Sequence, residues 1–144
     1  MSEILTRDLI VASGAARTRD EAIREAGALL VSSGAVTPEY VDAMLQREET
    51  VSTYMGSSLA IPHGTNEAKD SIQHSAVSLV RYENPIDWGR GEVQIVVGIA
   101  GVNDEHLGIL SKIAIIFSDP DEAQKMVDAS TVDELYGLLQ TVNE

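Results

Sequence analysis

The chain of 144 residues contains no cysteine. Disulfides, thiolate metal sites and a thiol nucleophile are therefore excluded. Aromatic residues are scarce at 4%, so aliphatic side chains must fill the core, and the 44% hydrophobic content supplies them. Basic residues are few: 10 Lys and Arg stand against 23 Asp and Glu, a formal net charge of -13. Phosphate backbones repel such a chain, which argues against a nucleic-acid partner. An anionic membrane surface is disfavoured for the same reason. A basic protein partner would be steered toward it, although plain solubility also accounts for the charge. No apolar run is long enough to span a bilayer. The N-terminal residues Met1 to Asp8 lack a basic segment followed by an apolar one. No signal peptide is expected, and a cytoplasmic location follows by default.

Several chemistries lack their patterns. There is no P-loop, no dinucleotide-binding glycine fingerprint and no paired-histidine zinc spacing. No Gly-x-Ser-x-Gly elbow for a serine hydrolase occurs either. Neither a metal nor a cofactor is expected.

What is present reads as one domain over residues 1–144, since a chain of this length buries about 70% of its unfolded surface. Thr18-Arg19-Asp20-Glu21 is a capping box that opens a helix. Ile23, Ala26, Leu29 and Leu30 share its buried face, and Gly34 stops it. Thr37-Pro38 opens a second helix, with Thr37 as cap and Val41, Met44 and Leu45 facing inward. Short strands are expected at Ser52–Met55 and Leu59–Ile61, a longer one at His74–Arg81, and a further strand of the sheet at Ile10-Val11. Asn84-Pro85 and Gly89-Arg90-Gly91 mark turns. Val93 to Ala100 is apolar on both faces, as a central covered strand should be. A helix near Asn103 carries Leu107, Leu110, Ile113, Ala114 and Phe117. Asp119-Pro120 opens another, with Ala123, Met126 and Val127 inward. Thr131 caps the last, whose face is Val132, Leu135, Leu138, Leu139 and Val142. Helices before and after a strand-rich middle predict a single-domain α/β fold, a layered sandwich.

Chemistry is best sought at Ile61-Pro62-His63-Gly64-Thr65. Pro62 fixes its own φ and restricts Ile61. Gly64 admits backbone conformations closed to other residues and a close approach by another molecule. Thr65 adds a hydroxyl and a backbone N–H. A neutral imidazole held there is a competent nucleophile if its second nitrogen donates to a fixed acceptor. The bland alternative is a turn histidine without a chemical role. His106 lies in the first turn of the helix after the central strand, where an anion is favoured and an extra proton disfavoured. Its bland alternative is a polar residue facing water. Arg47 ends the second helix and offers a planar fork for phosphate oxygens. Its alternative is an ion pair with Glu48, Glu49 or another acid. His74 reads as structural or solvent-facing.

At these residues the sequence resembles the enzyme IIA proteins of the bacterial sugar phosphotransferase system, mannitol/fructose class. The resemblance spans nearly the whole chain. It is carried by Arg47-Glu48, Thr53-Tyr54-Met55-Gly56, Leu59 to Thr65, Gly98-Ile99-Ala100 and Glu105-His106-Leu107. Thr65-Asn66-Glu67-Ala68-Lys69 and Asp87-Trp88-Gly89 look like the mannitol branch.

The resemblance implies an α/β fold with a single mixed sheet flanked by helices on both faces. It implies that His63 is the phosphorylated residue, His106 the second active-site histidine and Arg47 the active-site arginine. It implies a freestanding IIA protein that takes a phosphoryl group from the carrier HPr and passes it to the enzyme IIB of a mannitol transporter. Attack would proceed through Nε2 of His63. Arg47 would hold the equatorial oxygens and His106 would donate to one of them, with Gly64 and Thr65 shaping the surrounding backbone. Two rivals stand beside this: a regulatory IIA that uses the same phosphohistidine as a switch, and a non-catalytic module gripping an anion or a metal.

Overall fold

The structure is a computed structural model that describes residues 4–102 and 105–143, with Asn66, Glu67 and Lys69 by backbone only. Its sheet has five strands: β1 (Ile10–Val11), β2 (Tyr54–Gly56), β3 (Leu59–Ala60), β4 (Ala76–Asp87) and β5 (Glu92–Ala100). They lie in the order β1-β4-β5-β3-β2. β1 is parallel to β4 and β3 to β5, whereas β4–β5 and β2–β3 are antiparallel. The apolar strand β5 is thus central, as its two-sided pattern requires.

Among the described residues five α-helices flank the sheet: α1 (Arg19–Ser32), α2 (Glu39–Thr50), α3 (Glu105–Phe117), α4 (Pro120–Asp128) and α5 (Val132–Leu139). Strand alternation shows that both faces are covered. Ser78 Oγ donates to the Ala26 carbonyl of α1, and Tyr82 Oη to Glu25 of the same helix. Arg81, one residue out of step with these, points to the opposite face and donates to the Val127 carbonyl of α4. A mixed sheet between helical layers is the fold expected from the sequence.

The helix starts follow local chemistry. Thr18 Oγ1 accepts from Glu21 N–H at 3.2 Å, as expected of the cap, but the Glu21 carboxylate reaches back one residue past it, accepting from Arg17 N–H at 3.0 Å. Such a cap contributes about 1 kcal/mol. Asp119 caps α4 with Pro120 in its first turn, and Thr131 caps α5. α2 starts one residue later than expected: Pro38, not Thr37, holds the cap position. Gly34 ends the α1 region at φ +82°.

Three further expectations need correction. The buried face of α2 is Tyr40, Ala43, Met44 and Glu48, while Val41 and Leu45 are only half-buried. In α3 the buried residues are Ile109, Ile113 and Phe117; Ala114 is exposed, and so is Leu107. That helix is apolar around most of its circumference, so periodicity alone does not choose its face. β4 does not stop at Arg81 but runs on through Asn84-Pro85 to Asp87. The register breaks between Arg81 and Ile86, which lets a proline without an N–H lie within the strand. The turn expected at Gly89-Arg90-Gly91 does join β4 to β5. The predicted helix start at Asn103 lies outside the described residues.

Candidate functional site

β3 and β5 run parallel, and their carboxyl ends reach the same edge of the sheet. Beyond β3 the chain stays paired after Pro62: Ile99 N–H donates to the Pro62 carbonyl at 3.0 Å, and His63 bridges to Ile99. β5 ends at Ala100, and α3 begins at Glu105. The two strand ends therefore deliver His63 and His106 to one place. Their rings are 5.0 Å apart between centroids, with planes at 61°.

His63 is half-buried. Its Nδ1 lies 2.8 Å from the Ile61 carbonyl. A carbonyl only accepts, so Nδ1 carries the proton and Nε2 keeps a free lone pair. Burial lowers the pKa of His63; the Ile61 bond opposes this, Arg47 adds to it and Glu48 opposes it. His106 is lowered first by burial, then by His63 and Arg47. Both rings are thus neutral near pH 7. The sequence points to a helix dipole as what keeps His106 neutral; in the structure burial is the first cause that lowers its pKa.

Arg47 lies at the C-terminal end of α2, and its charge reaches both rings. One Nη donates to the Val51 carbonyl at 2.6 Å. Among the described residues no carboxylate pairs with it. Glu48, the neighbour offered as its ion-pair partner, is turned inward and buried. It accepts from Thr53 N–H at 2.7 Å, from the Thr53 hydroxyl and from the Trp88 indole N–H at 3.1 Å.

The role expected of Gly64 changes. It is not among the residues with positive φ. A Cβ there would stand 2.5 Å from the Tyr40 ring, so glycine is required by the approach of that ring. Tyr40 is buried; its hydroxyl accepts from Gly64 N–H at 2.9 Å and donates to the Ile99 carbonyl at 2.8 Å. Burial raises its pKa, which keeps the donor proton in place. Thr65 precedes the short 3-10 helix Asn66–Ser71, and its carbonyl accepts from Ala68 N–H. His74 is exposed and takes no part.

The roles of three residues escaped the sequence reading. Tyr40 and Glu48 resembled ordinary residues of an amphipathic helix. Gly101 is needed because a Cβ there would meet the backbone of His106 at 2.4 Å. The spacing Gly-x-x-x-x-His was visible, but nothing local marked it as a contact. Together the site offers a neutral imidazole with a free Nε2, a second imidazole at its edge and a guanidinium within electrostatic reach. That set suits reversible binding of a dianionic phosphoryl group to nitrogen. Among the described residues no cluster of His, Asp and Glu fit for a metal ion occurs.

The mannitol-specific phosphotransferase enzyme IIA component of Halalkalibacterium halodurans is 47% identical over 141 residues, covering 98% of this chain and 97% of that protein. The crystal structure of IIA mannitol from Escherichia coli superposes with a TM-score of 0.86 at 37% identity, covering 93% of this chain and 97% of that one. The same protein in complex with phosphorylated enzyme IIB also gives 0.86 and 37%, covering 92% and 94%. The family model for the phosphoenolpyruvate-dependent sugar phosphotransferase system, EIIA 2, matches residues 3–142. With that match over nearly its whole length, the chain belongs to the EIIA 2 family of the sugar phosphotransferase system.

Proposed function

We propose that this chain is the phosphocarrier of a mannitol phosphotransferase system, with His63 as the residue that carries the phosphoryl group. One observation supports this most: the Ile61 carbonyl occupies Nδ1 and leaves Nε2 as the nucleophile. The donor is the phosphohistidine of HPr. The Nε2 lone pair forms the new N–P bond as the donor's N–P bond breaks, and that electron pair returns to the donor ring. Nδ1 keeps its proton, so the His63 ring gains positive charge. Catalysis here is position and charge stabilisation, with little covalent chemistry for the protein to perform. Arg47 holds the equatorial oxygens, and His106 donates to one of them. The group then leaves for enzyme IIB by the reverse geometry.

The mannitol assignment rests on relatives that carry that name at 44 to 47% identity. Action in the cytoplasm accords with the partners, and among the described residues no helix is long and apolar enough to cross a membrane. The test is phosphorylation with enzyme I, HPr and phosphoenolpyruvate, followed by mapping of the acid-labile phosphate. Label on His63, chased by a mannitol enzyme IIB, is expected. Label on another residue would overturn the site. Normal mannitol uptake after deletion would move the function to regulation.

A further inference from the structure

Glu48 is a buried carboxylate that the transfer chemistry just described does not use, and it follows Arg47 directly in α2. Its three donors come from two separate places: Thr53, just before β2, and Trp88, at the end of β4. Thr53 in turn accepts from Ile61 N–H through its carbonyl at 3.1 Å. Ile61 then accepts from Nδ1 of His63. An unbroken series of hydrogen bonds therefore links Glu48 to the ring nitrogen opposite the nucleophile.

We propose that Glu48 is a positioning residue for phosphoryl transfer: it fixes the Thr53–Ile61 backbone that orients His63, and its negative charge stabilises the ring when Nε2 takes the phosphoryl group. The inference rests on the reading of His63 as the acceptor.

Three considerations carry it. The first is geometric. The series runs through two different peptide units at Thr53 and two at Ile61, so it acts by fixing positions and not by passing a proton. If Thr53 shifts, the Ile61 carbonyl shifts with it, and Nδ1 loses the partner that defines the tautomer. The second is electrostatic. Phosphorylation makes the ring cationic while Nδ1 keeps its proton, and a carboxylate in a low-dielectric interior favours that charge. Among the described residues, the charged side chains that act on the ring are Arg47 and Glu48 from α2, and the His106 ring of α3 stands beside it; of these Glu48 alone favours positive charge on it. The third is the cost of the arrangement. A carboxylate kept this far from water needs all its donors, and it receives a backbone N–H, a hydroxyl and an indole N–H. Two of the segments that set the sequence apart, Arg47-Glu48 with Thr53 and Asp87-Trp88-Gly89, thus meet at one buried charge.

Glu48→Gln tests the charge with the shape nearly kept. Trp88→Phe is the control: it removes one donor to Glu48 but leaves the charge and the Thr53 link. Nitrogen NMR of the His63 ring and the equilibrium of phosphoryl exchange with HPr are measured on both variants and on the parent. For E48Q the expected result is a lower His63 pKa and an exchange equilibrium shifted away from phospho-His63. The shift is roughly tenfold for each pKa unit lost. For W88F the His63 pKa stays at the parent value, whatever stability is lost. Equal His63 pKa and equal exchange in E48Q and parent would overturn the inference. So would matching changes in E48Q and W88F, which would reduce Glu48 to a packing role. If the parent itself carries no label on His63, the functional reading fails and not this step alone.

Discussion

The imidazole of His106 stands edge-on to that of His63, 5.0 Å away, and each sits where burial disfavours a proton. Two histidinium ions at this distance would repel each other, so the pair is built for the neutral state. Both folded-state pKa values lie below the ordinary 6.5. Just below 6.5 the unfolded chain therefore binds more protons than the folded one. Stability is full above about 6.5, falls as the pH drops toward the folded values, and loses nothing more to these groups below them. Urea denaturation at pH 7.5 and pH 5.0 should show the decline. Replacing both histidines with asparagine should flatten it. Glu39, held low by the Thr37 hydroxyl, acts only nearer 4.5 and does not mask the window.

The same pair predicts a division of labour. His63 has its Nδ1 committed to Ile61, whereas no hydrogen bond within the protein ties His106 among the described residues. His106 is thus free to turn a donor toward the phosphoryl oxygens. His106→Ala should fold, because the residue is only half-buried. Transfer from HPr should slow by about 10²-fold, the cost of losing one aligned donor to developing charge. Rapid-quench measurement in both directions checks this; an unchanged rate removes the role.

Tyr40 and Gly64 form a second anchor for His63. Gly64→Ala would press a methyl into the Tyr40 ring, and an overpacked contact of this kind costs about 1–3 kcal/mol. Tyr40→Phe removes the hydroxyl and strands Gly64 N–H and the Ile99 carbonyl, again about 1–3 kcal/mol. The two changes share one contact, so their effects should not add. A double-mutant cycle by thermal denaturation, with transfer rates measured alongside, gives the coupling. Simple additivity would show that the contact does not anchor the loop.

How much of this was legible follows from what each residue needs. The helix caps at Thr18, Asp119 and Thr131 act within a few residues, so sequence reveals them. The placement of His63 between Pro62 and Gly64 is equally local. The central position of β5 follows from its apolar pattern. Tyr40 and Glu48 were invisible because periodicity counts apolar residues, and their burial rests on polar partners far along the chain: Ile99 for one, Trp88 for the other. The need for Gly64 was legible, its reason was not: a neighbouring ring crowds it, and no unusual φ is involved. Leu107 was misplaced because α3 has more apolar surface than the core can cover. It is left exposed next to His106.

Arg47 separates the catalytic reading from the bland one most directly. A structural arginine would be paired with an acid, yet among the described residues it only donates to the Val51 carbonyl. Losing that bond should cost about 1 kcal/mol of stability. Losing a guanidinium that holds a transferring phosphoryl group should cost on the order of 10³-fold in rate. Arg47→Ala should therefore melt close to the parent while transferring far more slowly. Arg47→Lys should recover only part of the rate, since an ammonium keeps the charge but not the planar fork. The measurements are a thermal melt and a single-turnover transfer from phosphorylated HPr. A variant that melts much lower and transfers at the parent rate would place Arg47 in the scaffold.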